Sequence, residues 1–272
     1  MASIFCINRN TKSKKSKFKR QLLLNLLFTT IISFLLIPAS FSYEVKINIK
    51  LHIQNAGYIE LLKQKEGCPN KLKENGNTIG TNECSHYLSK GNHNIDLEWD
   101  YLLTQLSNMF EDKTFITEAD LSNFDASKIK FMGLMFKGCT SLRKVIMPSI
   151  TDYNLEQTQN MFERCTNLIS VVFKNDFRTT NVEKMECMFR ECYNLESINF
   201  PSNFETTNVV TMQDMFKECY SLTSINFNIF KTGKVINMAC LFQGTKLTSY
   251  DLSKFDTSKV TEVEYMFYIA QK

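Results

Sequence analysis

Two hydrophobic periods divide the chain. Val45, Ile47, Ile49, Leu51 and Ile53 alternate strictly with Lys46, Asn48, Lys50 and His52. A period of two places all five apolar side chains on one side of an extended backbone, which predicts a half-buried strand. Asn55-Ala56-Gly57 reads as a turn and Tyr58 to Leu62 as a return strand. Residues 63–91 are polar and carry Gly67, Pro69, Gly76, Gly80 and Gly91, so they read as loop-rich. Ile95, Leu97 and Trp99 then resume the alternation.

The second pattern is a repeat. Met-Phe recurs at Met109, Met135, Met161, Met188 and Met215, and Leu241-Phe242 and Met266-Phe267 take the next two places, at a spacing of 25 to 27 residues. A fixed period in the twenties means one supersecondary unit per repeat, each burying its apolar side against its neighbours. Ala119-Asp120-Leu121, Val145-Ile146-Met147, Val171-Val172-Phe173, Ile198-Asn199-Phe200, Ile225-Asn226-Phe227 and Tyr250-Asp251-Leu252 each give a short strand of period two. Val182, Met185, Met188, Phe189, Cys192 and Leu195 recur at steps of three and four, as do Val209, Met212, Met215, Phe216, Cys219 and Leu222. That stripe predicts a short helix, with Thr207-Asn208 and Thr257-Ser258 placed to cap such helices. The architecture expected is an α/β solenoid, leucine-rich-repeat-like, with one parallel strand and one short helix per repeat. Six strands at ~4.8 Å spacing make a sheet about 24 Å wide. A β-rich N-terminal module over 43–105 covers the first repeat, and the array fills 106–272.

Charge changes the picture at the N-terminus. The net charge of +4 is concentrated in residues 1–42, which hold Arg9, Lys12, Lys14, Lys15, Lys17, Lys19 and Arg20 and no acid; the rest balances at −3. No basic patch is left for nucleic acid. The basic run is followed by an apolar stretch, Leu22 to Ile37, then Pro38 and the small residues Ser40 and Ser42. This is the order of a secretory signal peptide cleaved near Ser42-Tyr43, with an uncleaved signal anchor as the alternative. The stretch is short for a span needing ~20 apolar residues. Either way residues 43 onward face the exterior, and membrane contact is confined to the N-terminal segment. No Asn-x-Ser/Thr acceptor site occurs.

The unit MFxxCxxLxxIxF followed by LSNFDASKI (Leu121 to Ile129) or LSKFDTSKV (Leu252 to Val260) resembles the BspA-like leucine-rich-repeat surface proteins with their 26-residue surface repeat. The resemblance covers about residues 107 to 272. It implies a leucine-rich-repeat-like solenoid on the cell surface or secreted, with adhesion or host contact as its role. The chain departs from the pattern at Lys113 or Thr114 in the first repeat, at Thr245 in the sixth, and in the diverged turn Ser149 to Leu155. The family brings no shared catalytic or binding residue.

Candidate chemistry is sparse. Cys139, Cys165, Cys192 and Cys219 share one column and read as small buried residues. Cys187 and Cys240, two repeats apart, are too distant to bridge. Cys68 and Cys84 read as a disulfide outside the cell, with a zinc site made by adding His86 and His93 as the weaker alternative. The Phe of each Met-Phe reads as a stacked core spine. His52, His86 and His93 all precede the array, and no phosphate loop, HExxH or GxSxG appears, so no enzyme and no cofactor is expected.

The expected function is binding of an unidentified protein or glycan through the exposed strand face. That face comprises Glu118, Asp120, Lys144, Ile146, Ser170, Val172, Ser197, Asn199, Ser224, Asn226, Ser249 and Asp251, with Ile146 and Val172 as an apolar spot. The alternative is a structural coat protein that self-associates through repeat ends, because the chain stops at Tyr265 to Lys272 without a polar cap.

Overall fold

The alternating segments and the repeat triplets become strands of one sheet. The module contributes β1 (Val45–Ile53), β2 (Gly57–Glu60), β3 (Lys71–Glu74), β4 (Asn77–Gly80), β5 (Ser85–Leu88) and β6 (Gly91–Trp99). Successive repeats contribute β7 (Ile116–Asp120), β8 (Lys144–Ile146), β9 (Ser170–Val172) and β10 (Ser197–Asn199). The computed structural model describes residues 45–63, 67–152 and 154–268. The targeting segment expected over residues 1–42 lies outside the described residues.

The sheet has eight strands in the order β10-β9-β8-β7-β1-β6-β3-β4. Its array half, β7 to β10, is parallel; its module half is antiparallel. β1 is the hinge between the two. It pairs antiparallel with β6, Ile49 opposite Ile95, and with β7, Ile49 opposite Ala119. Val45, Ile47, Ile49, Leu51 and Ile53 are all buried, as the alternation requires. The first repeat is therefore covered inside the sheet by a strand of opposite direction.

The expectation of an α/β solenoid with one helix per repeat is overturned. The described residues are β-rich, and their one helical element is a three-residue 3-10 turn, Phe227–Ile229. The apolar stripe lies instead on consecutive turns. In one coil Leu134, Phe136 and Gly138 donate their amides across to Gln159, Met161 and Glu163 of the next coil at 2.8 to 3.0 Å. The intervening Met135, Lys137 and Cys139 donate three residues back, to Met132, Leu134 and Phe136. An α-helix would direct every amide four residues back along its own chain.

The reason is left-handed backbone at two positions per repeat, four residues apart. Leu134 and Gly138 have φ of 63° and 72°, Asn160 and Arg164 of 57° and 62°, and Asp214 and Glu218 of 55° and 61°. Such residues cannot continue a right-handed helix. They reset the chain after each turn, so Met, Phe, Cys and Leu still return to the interior. Parallel bridges seal the same edge of each coil, from Gln105 through Phe131, Gln157, Lys184, Thr211 and Asn237 to Glu262. The proposed cap pairs Thr207-Asn208 and Thr257-Ser258 sit in turns, not at helix starts.

Two further expectations are corrected. The array forms four ladder strands rather than six, because the segments around Ile225 and Tyr250 make no strand pairing. In the module, β2 pairs with β5 in a separate two-stranded sheet instead of returning against β1. Residues 71–88, read as loop, hold three short strands.

The interior is continuous from Val45 to Leu247. Its axis is a file of phenylalanines: Phe110, Phe136, Phe162, Phe189, Phe216 and Phe242 stack at centroid separations of 5.2 to 5.7 Å. Beside it each column cysteine donates its thiol to the carbonyl of a Phe one coil earlier, Cys165 to Phe136 at 3.0 Å and Cys192 to Phe162 at 3.1 Å. Lys113 occupies this column in the first coil; it is buried, and its amine reaches Glu60 of β2. That ion pair, with Lys63 on Glu111 at 2.9 Å, ties the module to the first coil.

Candidate interaction surface

Alternation along the strands fixes which side chains face out. Ala119, Val145, Val171 and Ile198 point into the core, and their neighbours point away. Parallel register then lines the outward side chains in rows. Glu118, Lys144, Ser170 and Ser197 form one row, and Asp120, Ile146, Val172 and Asn199 the other. Ile146 and Val172 are direct neighbours, and Val172 is 43% exposed, a large apolar side chain turned to water. Lys144, Ser197 and Asn199 are exposed beside them.

The face extends further into the module than the repeats alone indicated. Across β1 and β6 it continues with Lys46, Asn48, Lys50, Asp96 and Glu98, and charge there is paired within the sheet. Lys50 meets Glu118 at 2.6 Å, Lys46 meets Asp96 at 2.7 Å, and Lys73 meets Glu98 at 2.7 Å. Asn48 donates to Asp96 at 2.7 Å. A depression of about 230 Å³ marks the junction of module and array, lined by Asn48, Lys50, Glu118, Asp120, Lys144 and Ile146. The module residues could not be assigned to this face from sequence, because nothing local reports that β1 inserts between β6 and β7.

The face becomes irregular after β10. Ser224, Asn226 and Asp251 are exposed but stand on no ladder strand. Asn226 instead accepts the amide of Asn228 at 3.1 Å and opens the 3-10 turn. Asp251 accepts the amide of Ser253 at 3.0 Å, and that contact, with the Ser253 hydroxyl, holds its carboxyl below the usual range. The regular surface is thus Lys144, Ile146, Val172, Ser197 and Asn199 together with the module residues.

A family profile described as "Mycoplasma protein of unknown function, DUF285" matches residues 85–174 and again 156–272, together well over half of the chain. The chain belongs to the DUF285 family. Comparison with curated proteins and with solved structures finds no match. The DUF285 matches begin at β5, so β5 and β6 fall within the matched region with the repeats, whereas residues 45–84 precede it.

The remaining candidates resolve by position. Cys68 and Cys84 are joined by a disulfide, with their Cα atoms 4.8 Å apart. It ties the segment ahead of the DUF285 match to the residue just before β5. The histidines of the zinc alternative are engaged elsewhere: His86 contacts Glu83 at 2.9 Å, and His93 contacts Glu74 at 2.8 Å and the Ser89 carbonyl at 2.9 Å. Among the described residues no cluster of His, Cys, Asp or Glu is arranged to hold a metal. Burial pushes the Cys139 thiol up to about 12 and those of Cys165 and Cys192 well above the ordinary 9.0. All three are free, buried thiols of the core.

Proposed function

We propose that this DUF285 chain is an exported, non-catalytic surface protein of the BspA-like 26-residue repeat type, and that it binds a protein or glycan partner outside the cell. The observation that carries the reading is the outward sheet face, where Ile146 and Val172 form an apolar spot among charged and small polar groups. Binding surfaces combine a desolvated centre with a polar rim in this way. The Cys68–Cys84 disulfide suits an oxidising exterior. The basic and apolar N-terminal order supports entry into the secretory route.

The test titrates labelled protein onto immobilised proteins and glycans of the cell exterior. The double variant Ile146→Glu with Val172→Glu should lose about tenfold or more in affinity for whatever the parent captures, a change of ~1.4 kcal/mol, with an unchanged melting temperature. Equal binding by the variant removes this face from the reading.

A second reading, a self-associating coat, draws on the last described coil. There Val263, Tyr265, Phe267 and Tyr268 are 39 to 65% exposed, and Phe267 rests on Phe242 at 5.9 Å on one side. At the opposite end of the array β1 pairs with β7, so the first coil is covered by the module. Light scattering over a dilution series separates the readings: a concentration-independent monomer favours the binding module.

A further inference from the structure

A second concavity of about 480 Å³ lies beside the beginnings of the strands, and its lining comes from five successive coils, Thr117 in the first to Ser221 in the fifth. Its size is that of an ordinary ligand cleft, about 300–1,000 Å³. Its lining differs from the sheet face in one respect. On the module side of the face, charges meet in cross-strand pairs; in the groove the one cation and the one anion make no such contact. Arg143 and Glu196 are exposed, and among the described residues neither side chain has an ion pair or hydrogen bond.

Between them the amides are oriented in advance. Asn167 and Asn194 hold the same place in successive coils. Asn194 donates its Nδ2 to Asn167 Oδ1 at 3.2 Å, and Asn167 donates its Nδ2 to the Thr140 carbonyl at 2.7 Å. Both amides thus point the same way along the stack, and the Asn194 Oδ1 remains a fixed acceptor. Ser141 adds a hydroxyl, and Ile169 contributes the apolar side chain.

We propose that this groove binds a neutral glycan chain. The proposal rests on the reading of the protein as an exterior binding module and names a ligand and a site for it. Sugar hydroxyls each donate and accept, and they need a lining that mixes both roles. The groove offers a guanidinium with five donors, a carboxylate acceptor, amides and a hydroxyl, with the two charges cancelling. A sulfated or phosphorylated polymer would need cations in excess, and Arg143 stands against Glu196. An apolar peptide would need more than Ile169 to bury its anchors. Coils stacked at ~4.8 Å extend the groove over ~19 Å, which suits a polymer lying along the stack.

Isothermal titration of the protein with cellohexaose, maltohexaose and chitohexaose tests this, with a sulfated heparin hexasaccharide as the charged comparison. At least one neutral hexasaccharide should bind at millimolar concentration or tighter. Arg143→Ala and Glu196→Gln, both exposed and remote from the core, should each weaken it about tenfold with unchanged melting. The Ile146→Glu and Val172→Glu double variant should bind the sugar as the parent does, even if it has lost a protein partner. That pattern separates this proposal from the sheet-face reading. Failure of all three neutral sugars, binding of the sulfated sugar alone, or parent-like affinity in both groove variants overturns it.

Discussion

Thr206 makes two hydrogen bonds to one residue of the next coil, Lys231: its hydroxyl accepts the Lys231 amide at 2.7 Å and donates to the Lys231 carbonyl at 3.1 Å. Thr179 does the same to Glu205, at 2.7 Å for each bond. Thr232 donates to Asp256 at 2.9 Å. These buried hydroxyls act as coil-to-coil clamps on backbone that belongs to neither a strand nor a helix. Thr206→Val keeps the shape and leaves an amide and a carbonyl without their partner, so it should cost about 1–3 kcal/mol. Thr206→Ser should cost less. Urea melts of both variants check the order; equal loss would show that the methyl group, not the hydroxyl, matters there.

The column cysteines should report burial through their chemistry. With iodoacetamide on the folded protein, Cys187 and Cys240, which are half-buried, should react before Cys139, Cys165, Cys192 and Cys219. The pH dependence follows in sign. Burial raises the folded-state pKa of Cys139 from the ordinary 9.0 to about 12. Its stabilising contribution is therefore complete below pH 9 and is lost as pH climbs through 9 toward 12. Melting temperatures at about pH 8 and about pH 11 should differ less in Cys139→Ala than in the parent. An unchanged difference contradicts the assignment.

Removing the disulfide should loosen the module selectively. Cys68 and Cys84 close a loop with a sequence separation of 16. A loop of about 15 residues corresponds to roughly 3 kcal/mol. The paired Cys68→Ser and Cys84→Ser variant should lose about that much, and amide exchange should rise first in β2 and β5. Faster exchange spread evenly over the array would mean that the bridge stabilises something other than the module.

Export has its own measurement. Expressed in a secreting host, the mature protein should begin near Tyr43 when sequenced from its N-terminus. A start at Met1 or Ala2 would mean an uncleaved anchor or no export.

How much of this was readable before the structure depends on the residues concerned. Four of the six strand triplets, the outward places of Lys144 to Asn199, the Phe file and the burial of the column cysteines follow from period-two and period-26 patterns, which are local or repeated many times. The helix did not follow, because residues at steps of three and four return to one side of a chain of tight turns as well as of a helix. The signal that separates the two is the left-handed pair in each coil. Asn108, Asn160 and Asp214 tolerate it, and Gly138 and Gly244 favour it, but Leu134, Cys187 and Arg164 hide it. The hairpin between β3 and β4 was signalled by Asn75-Gly76, whose φ values of 53° and 83° are those of a tight two-residue turn. The groove at Arg143 and Glu196 was illegible, since only coil stacking brings those residues together.

Each coil that carries one of β7 to β10 has a buried turn side and an outward strand face. Phe189 stacks between Phe162 at 5.4 Å and Phe216 at 5.7 Å, fully buried, whereas Asn199 lies exposed on β10 of the same repeat. Urea melts of Phe189→Ala and Asn199→Ala compare the two sides directly. The cavity left by Phe189→Ala should cost about 3–5 kcal/mol, and Asn199→Ala should change stability by less than about 0.5 kcal/mol. Equal destabilisation by both substitutions would contradict the assignment of faces, and with it the interaction surface built on the outward one.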